Sequence, residues 1–188
     1  MKKIFAIFAF LCAAVINIQA ERVFVGAEQT KLYLPLLKGK RVALLSNHTG
    51  IVIQGTDTIH TLDLLLKHGV EVTAIFSPEH GFRGTAREGE HVASSVDAKT
   101  GIPILSLYDG KSQRPSKEAM QTFDILITDI QDVGLRFYTY YVTMYRLMNA
   151  CASEGKQFMV FDRPNPNGFY VDGPILDMKH KSGVGALP

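Results

Sequence analysis

Residues 123–129 read FDILITD, a run of strand length that is largely apolar and ends in an acidic residue. Similar runs recur along the chain with helix-like stretches between them, at residues 41–46 (RVALLS), 70–76 (VEVTAIF), 102–107 (IPILSL) and 157–161 (QFMVF). Continuous rather than alternating apolar runs are typical of strands that are covered on both faces. We therefore predict an α/β fold with a doubly wound, mainly parallel sheet and helices on both faces.

Three helices are predicted around these strands. The first runs from a cap at Asp57 to Lys67, the second begins at a cap at Ser116, and the third spans residues 137–153. The third helix carries side chains at helical spacing, namely Tyr141, Met144, Tyr145, Met148 and Cys151. We interpret this stripe as core packing, and its cysteine as a small buried residue rather than a nucleophile.

The first twenty residues have the composition of a secretory signal peptide. Lys2 and Lys3 precede an apolar run over residues 4–18, and Ala20 precedes a charged pair. A membrane anchor is the alternative, but the run is shorter than the roughly 20 apolar residues that a span needs. We expect cleavage after Ala20, export to the periplasm or the cell exterior, and no stable membrane association afterwards. Residues 21–188 are then expected to form one domain, and their only cysteine can form no intrachain disulfide.

Composition and motifs exclude several functions. The chain has 20 basic and 18 acidic residues and no basic run, so nucleic acid is not an expected partner. No GxGxxG opens a helix, and residues 50–56 (GIVIQGT) have Thr56 where a phosphate-binding loop needs lysine. The six histidines show neither HxH nor HExxH spacing. The sequence therefore predicts no cofactor and no metal site.

Polar residues follow several of the predicted strands. The strand ends are continued by residues 46–50 (SNHTG), 77–84 (SPEHGFRG), 129–140 (DIQDVGLRFYTY) and 162–166 (DRPNP). In a doubly wound sheet, ligands bind outside the carboxyl ends of the strands, where these loops converge. We therefore predict a functional cleft at this edge of the sheet.

Glu79 is the leading candidate for a catalytic carboxyl group. Pro78 fixes the chain direction before it and Gly81 lets the backbone turn after it, so the side chain is held at the mouth of a strand. Such a placement suits a general acid. The alternative is an ion pair within the loop, with Arg83 or Arg87 as the partner.

Asp129 and Asp132 form a second group of carboxylates. Arg136 follows them, and its guanidinium can bind a substrate carboxylate through two hydrogen bonds. Equally, Asp132 and Arg136 can pair with each other at the start of the long helix. Tyr138 and Tyr140 either stack on a sugar ring or pack against the protein.

The strings SNHTGI, FSPEHGFRG, REGEHV, DIQDVGLRFYTY and FDRPNP together resemble the NamZ-type exo-β-N-acetylmuramidases, and the resemblance extends over residues 25–173. It implies a glycoside hydrolase that releases N-acetylmuramic acid from the non-reducing end of peptidoglycan fragments. It also implies a Rossmann-like catalytic domain followed by a smaller C-terminal domain, so we expect the sequence to be incomplete at its C terminus.

Carried onto this sequence, the resemblance makes Glu79 the first catalytic carboxylate, with His80 as a proton-network partner, and Glu90 or Asp132 the second. The lactyl carboxylate of muramic acid is then read by Arg136 or Arg163. The expected substrate-binding residues are Asn47, Arg83, Arg136, Tyr138, Asp162, Arg163 and Asn165. Two alternatives stay open: a non-catalytic exported module that binds sugars or muropeptides, and a metal-dependent hydrolase of another bond type.

Overall fold

The computed structural model describes residues 22–82, 94–107 and 114–188. The predicted leader and the candidates Arg83 and Glu90 lie outside these residues, as does Arg87, one of the proposed partners of Glu79. The strands are β1 Arg41–Ser46, β2 Ile51–Gln54, β3 Asp57–His60, β4 Glu71–Ser77, β5 Ser95–Val96, β6 Pro103–Ser106, β7 Ile125–Asp129 and β8 Gln157–Val160. The α-helices are α1 Thr30–Leu37, α2 Thr61–Lys67, α3 Lys117–Gln121 and α4 Tyr140–Ser153, with 3₁₀ turns at Gly26–Glu28 and Met178–His180.

Six of the described strands form the central sheet in the order β5-β6-β4-β1-β7-β8. All neighbours pair in parallel except β5 and β6, which are antiparallel. From β1 the chain first builds outward through β4 to β6, and it then returns to add β7 and β8 on the other side of β1. The strand order therefore reverses between β1 and β7, the position where doubly wound sheets bind ligands. The predicted fold class is confirmed.

The core lies on both faces of the sheet because successive side chains of a strand point to opposite sides. Val42 and Leu44 of β1 pack with apolar side chains of α1 and α2. Ala43 and Leu45 pack on the other face with side chains of α3 and α4. All four β1 residues are fully buried, as the continuous apolar run predicted.

The predicted helix at Asp57 is wrong in its first turn. Residues 51–60 form an antiparallel hairpin of β2 and β3, which turns at Gly55 with a φ of +64°. Helix α2 begins only at Thr61, and the Nδ1 atom of His60 caps it by accepting the Leu62 N–H at 3.1 Å. The β-branched residues of this segment favour the hairpin over an early helix. The cap at Ser116 is confirmed, since its hydroxyl accepts the Ala119 N–H at 3.2 Å.

Helix α4 begins at Tyr140 rather than at residue 137, and its buried face differs from the predicted stripe. Met148 is exposed, and Tyr141 lines a cavity. Met144 lines the same cavity but also packs against the core, as predicted. The buried side chains of this helix are Tyr140, Val142, Thr143, Leu147, Ala150 and Cys151. Cys151 is buried as predicted, and burial raises the pKa of its thiol to about 11. None of the helices in the described ranges has the length and apolar character that crossing a membrane requires.

Candidate active site

Hydrogen bonds tie three of the strand-end loops together. The Thr49 hydroxyl, after β1, accepts the backbone N–H of Gln131, after β7, at 3.0 Å. The Gln131 side chain donates to the carbonyl oxygen of Pro164, after β8, at 2.9 Å. The Asn167 amide donates to the Val133 carbonyl at 2.7 Å. The loops that the sequence predicted to converge therefore do meet at the switch point.

Asn47 shapes the loop after β1 from below the surface. Its side-chain oxygen accepts the N–H of Thr49 at 3.0 Å and the Thr49 hydroxyl at 2.6 Å. Its carbonyl oxygen lies 2.9 Å from Nε2 of His60, which carries the ring hydrogen because Nδ1 accepts from Leu62. Asn47 is fully buried, and its Nδ2 has no hydrogen-bond partner within residues 22–82, 94–107 and 114–188. In this state Asn47 shapes the turn, and its predicted contact with substrate stays a prediction.

A buried ion pair forms the floor of the site. Nε of Arg163 lies 2.6 Å from Oδ1 of Asp129, and Nη2 lies 3.0 Å from Oδ2. The Thr61 hydroxyl also donates to Oδ2, and Nη2 donates to the Ile51 carbonyl at 2.9 Å. The side chains are 7% and 0% exposed for the arginine and the aspartate. Two arginines were predicted to bind a substrate carboxylate. The guanidinium of Arg163 already binds Asp129 through two hydrogen bonds, so Arg136 is the better candidate.

Burial and the negative charge of Asp129 both affect the pKa of Tyr33. Tyr33 of α1 is buried, and its hydroxyl donates to the Ala27 carbonyl at 3.0 Å. Burial, with a further contribution from the charge of Asp129, raises the pKa of Tyr33 to about 12. Its hydroxyl therefore stays protonated and serves as a structural donor rather than as a base.

Glu79 lies in a tight turn after β4. The Gly81 N–H donates to the Pro78 carbonyl at 3.0 Å, and both His80 and Gly81 have positive φ, 70° and 76°. The left-handed conformation is costly for a residue with a side chain, so the turn holds His80 against its own preference. Glu79 and His80 are half-buried. The turn thus presents the carboxyl group at the strand mouth, as predicted.

Thr139 holds the Glu79 carboxyl group, and the sequence reasoning missed this residue. Its hydroxyl donates to Oε2 of Glu79 at 2.7 Å. Thr139 is the N-cap of α4, yet its side chain makes no capping hydrogen bond. Threonine before a long helix is a recognisable cap signal, but only the fold shows that the hydroxyl turns to Glu79 instead. This bond joins the loop after β4 to the rest of the site.

Asp132 is at the centre of the site. Its Oδ1 accepts the Gly134 N–H at 2.8 Å, while Oδ2 is shielded from solvent and has no hydrogen-bond partner in the part of the chain that the structure describes. Gly134 has a φ of +71°, and a Cβ there would lie 2.4 Å from the Asn165 amide nitrogen. Both the turn and the close approach of Asn165 therefore require glycine at this position.

Arg136 projects from the loop after β7 and is exposed. Its Nη2 donates to the Pro174 carbonyl, and within the described part of the chain it forms no ion pair with Asp132. The alternative that these two residues neutralise each other is therefore wrong. A guanidinium that binds one carbonyl oxygen retains donors for an anionic ligand.

Two adjoining cavities share Asp132 and Tyr141. The smaller, about 160 Å³, is lined by Asp132, Asp162 and Arg163 on its polar side and by Tyr140, Met144 and Phe161 on its apolar side. The larger, about 560 Å³, is lined by Arg136, Phe137 and Asp172 together with the two shared residues. The structure thus brings Asp132, Arg136, Asp162 and Arg163 around two neighbouring cavities.

Other predicted site residues do not line these two cavities. They are Asn47, Glu79, His80, Tyr138 and Asn165, all within the described residues. Glu79 is linked to the smaller cavity through Thr139, whose neighbour Tyr140 lines it. Tyr138 packs edge-on against Tyr140 with ring centroids 4.9 Å apart, so its ring packs against the protein. Its contact with a sugar ring stays a prediction. Across residues 22–82, 94–107 and 114–188, no group of three or more His, Cys, Asp or Glu side chains is arranged to hold a metal ion.

The fold and the site define a doubly wound α/β protein with carboxylates and an arginine at its topological switch point. The chain belongs to the family described as exo-beta-N-acetylmuramidase NamZ, N-terminal, whose model matches residues 42–188. It is 46% identical over 158 residues to the peptidoglycan beta-N-acetylmuramidase NamZ of Bacillus subtilis (strain 168). The aligned region covers 83% of this chain and 37% of that protein.

Two solved structures from Bacteroides fragilis NCTC 9343, both DUF1343 family proteins, have the same fold. One is 58% identical with a TM-score of 0.76, and the other is 36% identical with a TM-score of 0.78. Each match covers 89% of this chain and 42% of the solved chain. The chain therefore spans about two fifths of the length of the relatives it matches.

Proposed function

We propose that the protein is a glycoside hydrolase that releases N-acetylmuramic acid from the non-reducing end of peptidoglycan fragments. The observation that carries the proposal is the carboxyl group of Glu79, which is held by Thr139 at the strand mouth beside the cavities that Asp132 lines. The similarity to the Bacillus subtilis muramidase supports the same reaction and substrate class.

Glycoside hydrolysis uses two carboxyl groups on either side of the scissile bond. Glu79 comes from the loop after β4 and Asp132 from the loop after β7, on opposite sides of β1 in the sheet. The Thr139 hydroxyl fixes Oε2 of Glu79 and so sets the direction of the whole carboxyl group. We assign Glu79 as the first catalytic carboxylate, with His80 beside it, and Asp132 or Glu90 as the second.

Arg136 suits the lactyl carboxylate that distinguishes muramic acid from glucosamine. It lines the larger cavity, is exposed, and within the described ranges its guanidinium donates only to the Pro174 carbonyl. A planar guanidinium binds a carboxylate through two parallel hydrogen bonds, which gives geometric selectivity as well as affinity. We assign Arg136 as the group that reads the lactyl substituent.

The predicted leader at residues 1–20 supports export to the periplasm or the cell exterior, where peptidoglycan fragments are found. The proposal includes no stable association with the membrane after the leader is removed. Fractionation of cells that produce the intact protein, with determination of its N terminus, tests this part separately from the enzymology.

The proposed reaction is tested with a chromogenic β-N-acetylmuramide and the intact protein. We expect turnover by the wild type and a loss of kcat of about 10²- to 10⁴-fold in Glu79→Gln, because the amide keeps the shape of the side chain but cannot exchange a proton. Glu154→Gln is the matched control, since this exposed glutamate lies at the far end of α4.

Two outcomes would replace the proposal. Binding of the muramide without turnover by the wild type would favour the non-catalytic binding module. Turnover that a strong chelator abolishes would favour the metal-dependent hydrolase. Turnover that is unchanged in Glu79→Gln would remove Glu79 from the mechanism.

A further inference from the structure

The smaller cavity has the position of a pocket for a substituent of the sugar ring. It shares Asp132 and Tyr141 with the larger cavity, so a ligand in the larger cavity can extend a side group into it. Its volume of about 160 Å³ compares with a share of roughly 30 Å³ for one water molecule in the liquid, so a group of about four heavy atoms fits. The larger cavity, at about 560 Å³, has room for the ring itself.

The charges around the smaller cavity select against an anionic substituent. Arg163 contributes the guanidinium at its wall, but Asp129 already neutralises that charge through two hydrogen bonds. Asp132 and Asp162 add two carboxylates. A lactyl carboxylate placed here would therefore meet net negative charge, whereas next to Arg136 it meets a cation.

The remaining wall is apolar, and one polar atom of a residue that lines the cavity has no partner among the residues that the structure describes. Tyr140, Met144 and Phe161 offer an apolar surface that suits a methyl group. Among the described residues, Oδ2 of Asp132 has no hydrogen-bond partner, and burying an acceptor without a partner is unfavourable. A ligand N–H that reaches this carboxylate would recover part of that cost.

We infer that the smaller cavity binds the N-acetyl group of the sugar, with Asp132 accepting the amide N–H and the apolar wall contacting the methyl group. The inference rests on the proposed function, because it takes an N-acetylated amino sugar as the ligand. It also orients the ring: the acetamido group lies towards Met144 and the lactyl group lies towards Arg136.

Calorimetric titration of the intact protein tests the inference without requiring turnover. The two probes are N-acetylmuramic acid and 3-O-lactylglucose, which carries a hydroxyl in place of the acetamido group and adds no charge. We expect the wild type to bind the acetamido sugar at least about tenfold more tightly, and Asp132→Asn to reduce that ratio about tenfold. In this variant the amide oxygen can still accept the Gly134 N–H, while an amide NH₂ replaces Oδ2 and cannot accept the ligand N–H.

Two further variants control for folding and for size. Asp177→Asn is the matched control, because Asp177 also accepts a backbone N–H, from Lys179 at 3.0 Å, but lies outside both cavities. We expect it to leave the ratio unchanged. Met144→Ala enlarges the pocket at its apolar wall, so we expect the affinity for the N-butyryl analogue to rise several-fold relative to the N-acetyl sugar.

The outcomes separate this inference from the proposed function. A wild type that prefers the acetamido sugar, with the preference lost in Asp132→Asn, supports the pocket even if the muramide is not hydrolysed. Equal weakening of both probes in Asp132→Asn, or no preference in the wild type, overturns the pocket even if hydrolysis is observed. An unchanged N-butyryl to N-acetyl ratio in Met144→Ala overturns the assignment of the apolar wall.

Discussion

The two ends of strand β7 each carry an aspartate paired with an arginine, but in opposite surroundings. Asp124 precedes the strand and binds Arg41, with Nη2 to Oδ1 at 2.8 Å, and the side chains are 42% and 41% exposed. Asp129 ends the strand and binds Arg163 in a pair that is almost completely buried. The same chemistry is therefore placed once in solvent and once beneath the candidate site.

This difference shows what each pair can contribute. At the amino end, the pair joins β1 to the residue before β7, and water competes for both charges. At the carboxyl end, the pair crosses from β7 to the loop after β8 and supports the wall of the smaller cavity. We conclude that buried polar groups at the carboxyl end of the sheet fix the geometry of the loops. A binding site requires fixed loops, whereas, among the described residues, the amino end of the sheet carries no such site.

Removing the buried partner is the strongest test of this comparison. We expect Asp129→Ala to lower the free energy of unfolding by about 3–5 kcal/mol, because it leaves the Arg163 guanidinium buried without a counter-charge. Urea unfolding followed by circular dichroism measures the loss. The comparison fails if Asp124→Ala, in the exposed pair, is as destabilising as Asp129→Ala.

A second test concerns the hydrogen bond from Thr139 to Glu79, which also fixes a polar group at the carboxyl end of the sheet. We expect Thr139→Val to lower kcat on the muramide about tenfold with a smaller change in KM, because Glu79 loses the donor that orients its carboxyl group. Thr139→Ser keeps a hydroxyl and is expected to retain most of the activity. Steady-state kinetics on both variants provide the measurement. If serine fails as valine does, the threonine acts through helix packing and not through its hydroxyl.

The sequence predicted the sheet because each parallel strand is a local pattern. The run over residues 41–46 is buried on both faces, and that alone identifies a central strand. The hairpin of β2 and β3 was missed because its polar half, Asp57–His60, also has the signals of a helix start. Helix α1 was missed because it is short and contains Pro35.

The sequence predicted which residues lie at the site, because they follow the strand ends, but not which contacts their side chains make. Placing Glu79, Asp132, Arg136 and Asp162 at one edge needs no more than the strand order. Which carboxylate is engaged and which is available depends on contacts between distant residues. Asp129 meets Arg163 across 34 residues, and Glu79 meets Thr139 across 60 residues, and no local pattern reports either contact. The sequence therefore treated Asp129 and Asp132 alike, whereas the structure separates them.

The exposed pair gives the smallest expected effect, and it is one that pH resolves. Hydrogen bonds from Arg41 hold the pKa of Asp124 at about 2, below its ordinary value of 3.8. A carboxyl group whose pKa is lower in the folded state adds stability above its unfolded pKa and loses it as the pH falls. We therefore expect Asp124→Asn to be slightly less stable than the wild type at neutral pH, with the difference shrinking between about pH 4 and pH 2 and absent below that.

Unfolding measured across this pH range, with Arg41→Met as a second background, identifies the cause. Without the guanidinium, Asp124 keeps only its bond to the Arg41 backbone N–H, so most of the pH-dependent difference should disappear. A difference of the same size in both backgrounds would contradict the assignment of the lowered pKa to the Arg41 side chain. Solvent screens the Asp124–Arg41 pair, so Asp124→Asn should change the free energy of unfolding little at neutral pH. A large loss of stability in Asp129→Ala beside this small change would show that burial, and not the Arg–Asp contact itself, distinguishes the two ends of β7.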